Sequence, residues 1–132
     1  MASYNGLVAS SSLNGSTDSQ VMQGSSQQNV GCNAAVPSKF FSNGQFAIQV
    51  QGISGTVGVQ IVGAVGGATF VIAGRTNISG VGGFPVPLVK YVGTSGTFEG
   101  FGFPRPSFVS FQGGSTGTIG LTASVFLAAE YN

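Results

Sequence analysis

The groups in this chain that could do acid–base chemistry are few and lie far apart. Its carboxylates are Asp18, Glu99 and Glu130, and it has no histidine. A glycosidase needs two carboxylates about 5–10 Å apart across the scissile bond, and nothing in this spacing brings two together. Serine is abundant, but neither Lys39 nor Lys90 stands in an S-x-x-K arrangement. We therefore predict that the protein is not an enzyme and has no catalytic residues.

Metal and cofactor sites have equally little support. A metal site needs clustered histidine, cysteine or acidic ligands, whereas this chain offers one cysteine, Cys32, and three separated carboxylates. The glycine-rich runs 63–67 and 80–83 match neither G-x-G-x-x-G nor the P-loop motif, so we predict β-turns there and no cofactor. Cys32 is expected to be a small, partly buried apolar residue; a bridge to another subunit or a reactive thiol is the alternative.

Charge is the scarcest property of the sequence. Only 5% of the 132 residues are charged, against about 25% in a typical soluble domain. The four lysine and arginine residues are scattered and do not form the basic cluster that would neutralise the phosphates of a nucleic acid. We therefore predict no nucleic-acid partner. We also predict no membrane partner, because there is neither a signal-like N-terminus nor an apolar run of about 18 residues. Since charge normally keeps proteins apart, its scarcity favours a subunit packed in an assembly.

The first 38 residues differ in composition from the rest. Residues 1–38 are rich in serine, glutamine, asparagine and glycine, with apolar residues only in short groups. Such a segment buries too little apolar surface to offset its ordering entropy. We therefore predict an extended polar N-terminal arm over 1–38 and a β-domain over 39–132. The arm is expected to lie against its own domain or, as its composition favours, against neighbouring subunits, which it would contact through Leu7, Val8, Val21 and Met22.

Alternating apolar residues predict β-strands from residue 39 onward. Residues 46–51 and 56–61 both alternate with a period of two and are separated by a glycine-containing turn, which predicts an antiparallel hairpin. A third strand is expected at 68–73. The run 84–91 contains Pro85 and Pro87, which lack amide donors, so we predict a strand at a sheet edge.

The C-terminal third continues the pattern. We expect short strands at 98–103 and 107–111 and a long strand at 118–129, which should be central because it exceeds the usual five or six residues. Glycine turns about every 8–12 residues and the absence of a 3.6-residue period predict an all-β fold without helix. The expected architecture is a single antiparallel β-sandwich, jelly-roll or Ig-like.

Two aromatic groups are candidate interface anchors. Prolines 104 and 106 hold Arg105 in a rigid loop with Phe101 and Phe103 nearby, and rigid arginines beside aromatic rings are typical of interface hot spots. The alternative is a solvated loop arginine; Glu99 or Glu130 is a possible partner. Phe40 and Phe41 are either core residues at a strand start or a plug where the arm leaves the domain.

The alternating runs also resemble a known class of proteins. The segments 44–52 and 55–63, and the ending from Phe108 through the 113–117 turn to Val125, are similar to those of small virion proteins of tailed bacteriophages. That resemblance implies a β-sandwich that decorates or cements a capsid, or that sits in the neck or tail. The low charge and the long polar N-terminal segment set this chain apart from commoner members.

Composition and resemblance together predict a non-enzymatic virion structural protein. We expect a capsid decoration or cement subunit on the capsid surface, contacting the major capsid protein or other virion subunits, and forming a homo-oligomer, with a trimer favoured. Two alternatives stay open. One is a neck, tail or fibre subunit, and the other is a lectin-like receptor-binding module, which would need an exposed aromatic ring beside polar side chains.

Overall fold

Alternating sequence runs become strands over most of the chain. The computed structural model describes residues 2–11, 22–23, 27–88, 102–113 and 118–132, leaving aside the side chains of 22–23, 75–76 and 118–119. These residues contain nine strands and no helix. The strands are β1 (Ala2–Ser10), β2 (Met22–Gln23), β3 (Gln27–Gly31), β4 (Phe41–Ser54), β5 (Val57–Val65), β6 (Ala68–Ile78), β7 (Gly82–Val86), β8 (Pro106–Gly113) and β9 (Thr118–Tyr131).

The strands form two antiparallel sheets that pack against each other. The first sheet has the order β1-β9-β4-β7, with β2 also pairing with β9, and the second has the order β3-β8-β5-β6. Packing two sheets face to face buries the apolar face of each and leaves the other face to solvent. The predicted all-β sandwich without helix is therefore confirmed for the described residues.

Strand pairing is nested around a central hairpin. β5 pairs with β6, β4 with β7, β3 with β8 and β1 with β9, all antiparallel. The chain thus folds back on itself about the β5–β6 turn, and successive pairs alternate between the two sheets. This winding is that of a jelly roll, which decides between the two sandwich types that the sequence predicted.

The core lies between the sheets and takes alternate residues from each strand. Phe46, Ile48 and Val50 point inward from β4, and Val57, Val59 and Ile61 do so from β5, each at most 2% exposed. These are the faces that the alternation predicted. On β9 the inward residues are Leu121, Ala123, Val125, Leu127 and Ala129.

The predicted hairpin of residues 46–51 and 56–61 is wrong. β4 pairs with β7 and β9 in the first sheet, whereas β5 pairs with β6 and β8 in the second. Gly55, at a φ of 83°, lies where the chain crosses from one sheet to the other. Both strands bury one face in the same core, so alternation identifies the buried face but not the strand that pairs alongside.

Two predicted strand positions are confirmed. β7 is the last strand of the first sheet, as its prolines required, and β9 lies between β1 and β4 in the interior of that sheet. Residues 89–91 and 98–101 of two predicted strands lie outside the described residues. Phe103 forms an isolated bridge with Phe41 rather than part of a longer strand.

The described parts of the N-terminal segment lie against their own domain. Residues 2–10 pair with β9, residues 27–31 pair with β8, and Val8 and Val36 are buried in the core. Backbone pairing satisfies the polar main chain, and a few apolar residues then suffice to seat a mostly polar strand. The polar composition of residues 1–38 is thus compatible with strands at the ends of the two sheets. Residues 12–21 and 24–26 lie outside the described residues, so the arm as a whole stays a prediction.

Candidate functional site

Arg105 binds main-chain carbonyls of its own chain. Its Nε donates to the carbonyl of Val36 at 2.8 Å, and its Nη2 donates to the carbonyl of Asn33 at 3.0 Å. A weaker bond joins Nη1 to the carbonyl of Pro106 at 3.4 Å. The side chain therefore ties the segment before β8 to the loop between β3 and β4. Of its expected partners, Glu99 lies outside the described residues, and Glu130 is an exposed residue on β9.

The loop that Arg105 holds is also fixed by its own hydrogen bonds. The amide of Asn33 donates to the carbonyl of Val8 at 2.7 Å, and the amide of Cys32 donates to the carbonyl of Ser107 at 3.0 Å. This loop leads from the second sheet to the first, so Arg105 helps to join the two sheets. The described contacts give it a structural role; a contact with another subunit stays a prediction.

Cys32 is a half-buried thiol beside this loop. Burial raises the pKa of the thiol above its ordinary value, and the positive charge of Arg105 opposes that rise. The thiol is therefore protonated at neutral pH, which makes it a poor nucleophile. This environment agrees with the expected partly buried apolar residue.

Two of the predicted aromatic anchors lie in the core. Phe41 and Phe103 are 0% and 2% exposed, and their rings stack with centroids 5.3 Å apart. Phe46 contacts Phe103 at 5.3 Å, and Tyr131 packs edge-on against Phe41 at 5.7 Å. Since Phe41 and Phe103 are enclosed in this cluster, they offer no contact surface to a neighbour. Of the two alternatives for Phe41, the core residue is the observed one.

The other predicted contacts divide by exposure. Val8 is fully buried and so leaves the candidate interface, whereas Phe40 is 52% exposed and Leu7 is half-buried. Phe101 and Val21 lie outside the described residues. Met22 lies in β2 opposite Ile119, and its side chain is outside the described set.

An apolar row crosses the outer face of the first sheet. Leu7 on β1 lies opposite Phe126 on β9, Phe126 opposite Ala47 on β4, and Ala47 opposite Pro85 on β7. Phe126 is 40% exposed, which is high for so large an apolar side chain. We call these four residues the apolar row. The alternation predicted that Phe126 lies on the outer face of its strand, but it was not among the candidate interface residues. An aromatic residue between the small and polar residues Thr122, Ser124 and Ala128 was the feature that indicated an exposed contact.

Uncharged residues flank the apolar row on both sides. On one side the cross-strand neighbours are Ser10, Ser124, Gln49 and Gly83, and on the other they are Asn5, Ala128 and Gln45. None of these seven side chains carries a formal charge. Burying this surface against another subunit would therefore desolvate no charged group. Desolvation of charges is the largest free-energy cost of burying polar surface.

The outer face of the second sheet carries a groove instead. It encloses about 210 Å³ and is lined by Gly58, Val59, Gln60, Asn77, Ser110 and Gln112. Gly58 lies opposite Gln112 on β8 and opposite Asn77 on β6, so its missing side chain leaves a trough between the two amides. A Cβ atom at this position would lie 3.1 Å from Asn77 Oδ1. We call these six residues the amide groove.

The polar side chains of the amide groove are not used by the fold. Within the described part of the chain, the side chains of Gln60, Asn77, Ser110 and Gln112 have no hydrogen-bond partner, although Gln27 and Asn29 on neighbouring β3 bond each other at 2.8 Å. Ser110 is only 6% exposed. Four neutral groups that can both donate and accept hydrogen bonds thus face one cavity.

The described residues contain neither a cluster that could hold a metal ion nor a helix that could span a membrane. No group of three or more histidine, cysteine or acidic side chains is placed to hold a metal ion in that part of the chain. None of the described segments forms a helix long and apolar enough to cross a membrane.

Comparison of the chain with protein-family models, with curated proteins and with solved structures finds no match. The geometry of the two outer faces is therefore the basis for assigning a function.

Proposed function

We propose that the protein is a non-enzymatic structural subunit of a virion, namely a capsid decoration or cement subunit. The observation that carries this proposal is the apolar row, in which Phe126 is 40% exposed and its cross-strand neighbours carry no charge. Exposed aromatic residues surrounded by neutral polar side chains are typical of surfaces that become the centre of an interface.

The scarcity of charge over the whole chain supports the same proposal. With 5% charged residues, the free protein has little electrostatic repulsion to keep its copies apart. In a closed shell such a surface is covered by neighbours. Weak contacts that are repeated over a lattice add up to firm attachment without a tight individual contact.

The β7 edge of the first sheet is poorly suited to strand addition, which favours contact through the face of the sheet. Pro85 lies within β7, and Pro87 follows directly, so this edge has two fewer amide donors for a further strand. The described parts of the N-terminal segment pair within their own domain. We therefore assign the homo-oligomer contact to the apolar row and leave the remaining surface for the shell protein.

Self-association in solution tests the assigned contact. Analytical ultracentrifugation should give a symmetric oligomer for the wild type and a monomer for Phe126→Glu, because a carboxylate at the centre of an apolar contact loses its hydration. Gln112→Glu, which places the same charge on the outer face of the other sheet, is the matched control and should associate like the wild type. A monomeric wild type, or an oligomeric Phe126→Glu, would contradict the assignment.

The virion location needs a separate measurement. An antibody against the purified protein should label particles from the culture that produces it, and quantitative mass spectrometry of those particles gives the copy number. Many copies per shell fit a decoration subunit, whereas a few fit the alternative neck, tail or fibre subunit. Absence of the protein from purified particles would rule out both positions.

A further inference from the structure

We infer that the amide groove is a binding site for a neutral saccharide. Its lining combines the side-chain amides of Gln60, Asn77 and Gln112 with the hydroxyl of Ser110 around the open floor at Gly58. This inference does not rest on the proposed virion role, because the groove and the apolar row lie on different sheets.

The unused hydrogen-bonding groups indicate the chemistry of the ligand. A sugar hydroxyl both donates and accepts a hydrogen bond, and so do primary amides and the serine hydroxyl. None of the four polar side chains has a partner in the described part of the chain, so a ligand would break no existing bond. The six lining residues carry no charge, so they provide no counter-charge for a phosphate or a carboxylate.

An aromatic side chain lies next to the groove on the same face. Phe108 is two residues before Ser110 on β8, which places both on the outer side of the strand, and Phe108 is half-buried. A half-covered ring beside amides provides an apolar surface for the carbon-bound hydrogens of a sugar ring. Ring and polar side chains thus lie together as in a lectin-like module, although the ring of Phe108 is only partly exposed.

The position of the groove argues against a peptide as its ligand. Its floor runs over β5 and β8, which are interior strands paired on both sides. A peptide that adds as a strand needs an unpaired sheet edge, and neither of the two strands under the floor has one. A volume of about 210 Å³ is below the roughly 300–1,000 Å³ of sites for drug-sized ligands, so it suits one sugar ring of a longer chain.

An NMR titration tests the inference directly. The ¹⁵N-labelled protein is titrated with neutral oligosaccharides of glucose, galactose, mannose or N-acetylglucosamine, and with a hyaluronan oligosaccharide as the acidic probe. We expect the side-chain amide signals of Gln60, Asn77 and Gln112 to shift with at least one neutral probe. For a site that holds one ring, a dissociation constant of about 1 mM is expected.

Variants locate the binding. Asn77→Ala and Gln112→Ala should each weaken binding about two- to tenfold, the loss of one neutral hydrogen bond. Gln45→Ala, an exposed glutamine on the first sheet, is the control and should bind like the wild type. All three changes are at exposed positions, and circular dichroism checks that each variant is folded.

Four results would overturn the inference. The first is that no neutral probe shifts the signals, and the second is that Asn77→Ala and Gln112→Ala bind as tightly as the wild type. The third is that the groove signals shift with protein concentration and not with added saccharide. The fourth is that only the acidic probe binds and that added salt abolishes its binding. The last would indicate an anion site instead of a saccharide site. A monomeric wild type in the ultracentrifuge would leave the saccharide site untouched.

Discussion

The two outer faces of this sandwich are built from similar residues and have opposite shapes. On the first sheet, Phe126 and its neighbours make a continuous apolar row across four strands. On the second sheet, the row through Gln112, Gly58 and Asn77 opens into a groove at its glycine. Both faces are nearly free of charge, so charge does not distinguish them. The difference lies in the side chain at the middle of each row, which is large at Phe126 and absent at Gly58.

Both faces depend on one shared core. The strands that carry them bury their opposite sides between the sheets, in a cluster that includes Phe41, Phe46 and Phe111. A substitution in the core should therefore lower the free energy of unfolding most and disturb both faces. A substitution in the loop that joins the two sheets should lower it less. A substitution on one face should leave the other face intact. These three levels can be separated by experiment.

The largest effect is expected for Phe41→Ala. Phe41 is fully buried and contacts the rings of Phe103 and Tyr131, so its removal leaves a cavity under both sheets. A loss of about 3–5 kcal/mol in the free energy of unfolding is expected, measured by chemical denaturation. The adjacent Phe40, 52% exposed, is the matched control, and Phe40→Ala should cost about 1 kcal/mol or less. Equal losses at the two positions would contradict the assignment of Phe41 to the shared core.

An intermediate effect is expected for Arg105→Gln. The change removes the donors that bond the carbonyls of Val36 and Asn33, and it loosens the loop that joins the second sheet to the first. A loss of about 1–3 kcal/mol is expected, the range for hydrogen bonds to a charged group in a half-buried setting. Lys39→Gln removes the same charge from an exposed residue of this loop and should change stability by about 0.5 kcal/mol or less. If Arg105→Gln has no effect on stability but lowers self-association, Arg105 is an interface anchor instead.

The smallest effects test the side chains at the middle of each face. Gly58→Ala should change the free energy of unfolding by about 1 kcal/mol or less. If the exposed Asn77 side chain moves away from the new Cβ, the variant should be more stable than the wild type, because alanine restricts the unfolded chain. Ala47→Gly, the reverse change on the first sheet, should cost about 0.5–1 kcal/mol. Both predictions are checked by the midpoint of chemical denaturation, provided that the denaturant dependence of the free energy of unfolding is the same in the variant and the wild type. A larger loss for Gly58→Ala would mean that Asn77 is held rigidly at the groove.

The sequence was most informative about which face of a strand is buried. The alternation of Phe46, Ile48 and Val50, and that of the long C-terminal strand, predicted the inward residues that the structure shows. The prolines of β7 predicted its place at an edge. These features are local, because the period of a strand and the missing amide of proline act within a few residues of their position.

The pairing of strands was less predictable. The predicted hairpin between 46–51 and 56–61 is wrong because a strand that faces another across the core alternates in the same way as one that pairs beside it. A polar composition predicted an arm over residues 1–38, but the same composition also suits end strands such as β1 and β3. The contacts of Arg105 with Asn33 and Val36 span about 70 positions, and no local pattern encodes them.

Composition and alternation by themselves determined that this chain is an all-β protein with very few charges and with defined inner and outer strand faces. Only the tertiary structure decided that its strands nest into a jelly roll, that Phe41 and Phe103 belong to the core, and that Phe126 and Gly58 lie at the middle of two different outer faces. The physical reason is that alternation fixes the direction of each side chain along its own strand. The neighbours of that side chain come from strands distant in sequence, whose order in the sheet depends on packing of the whole core.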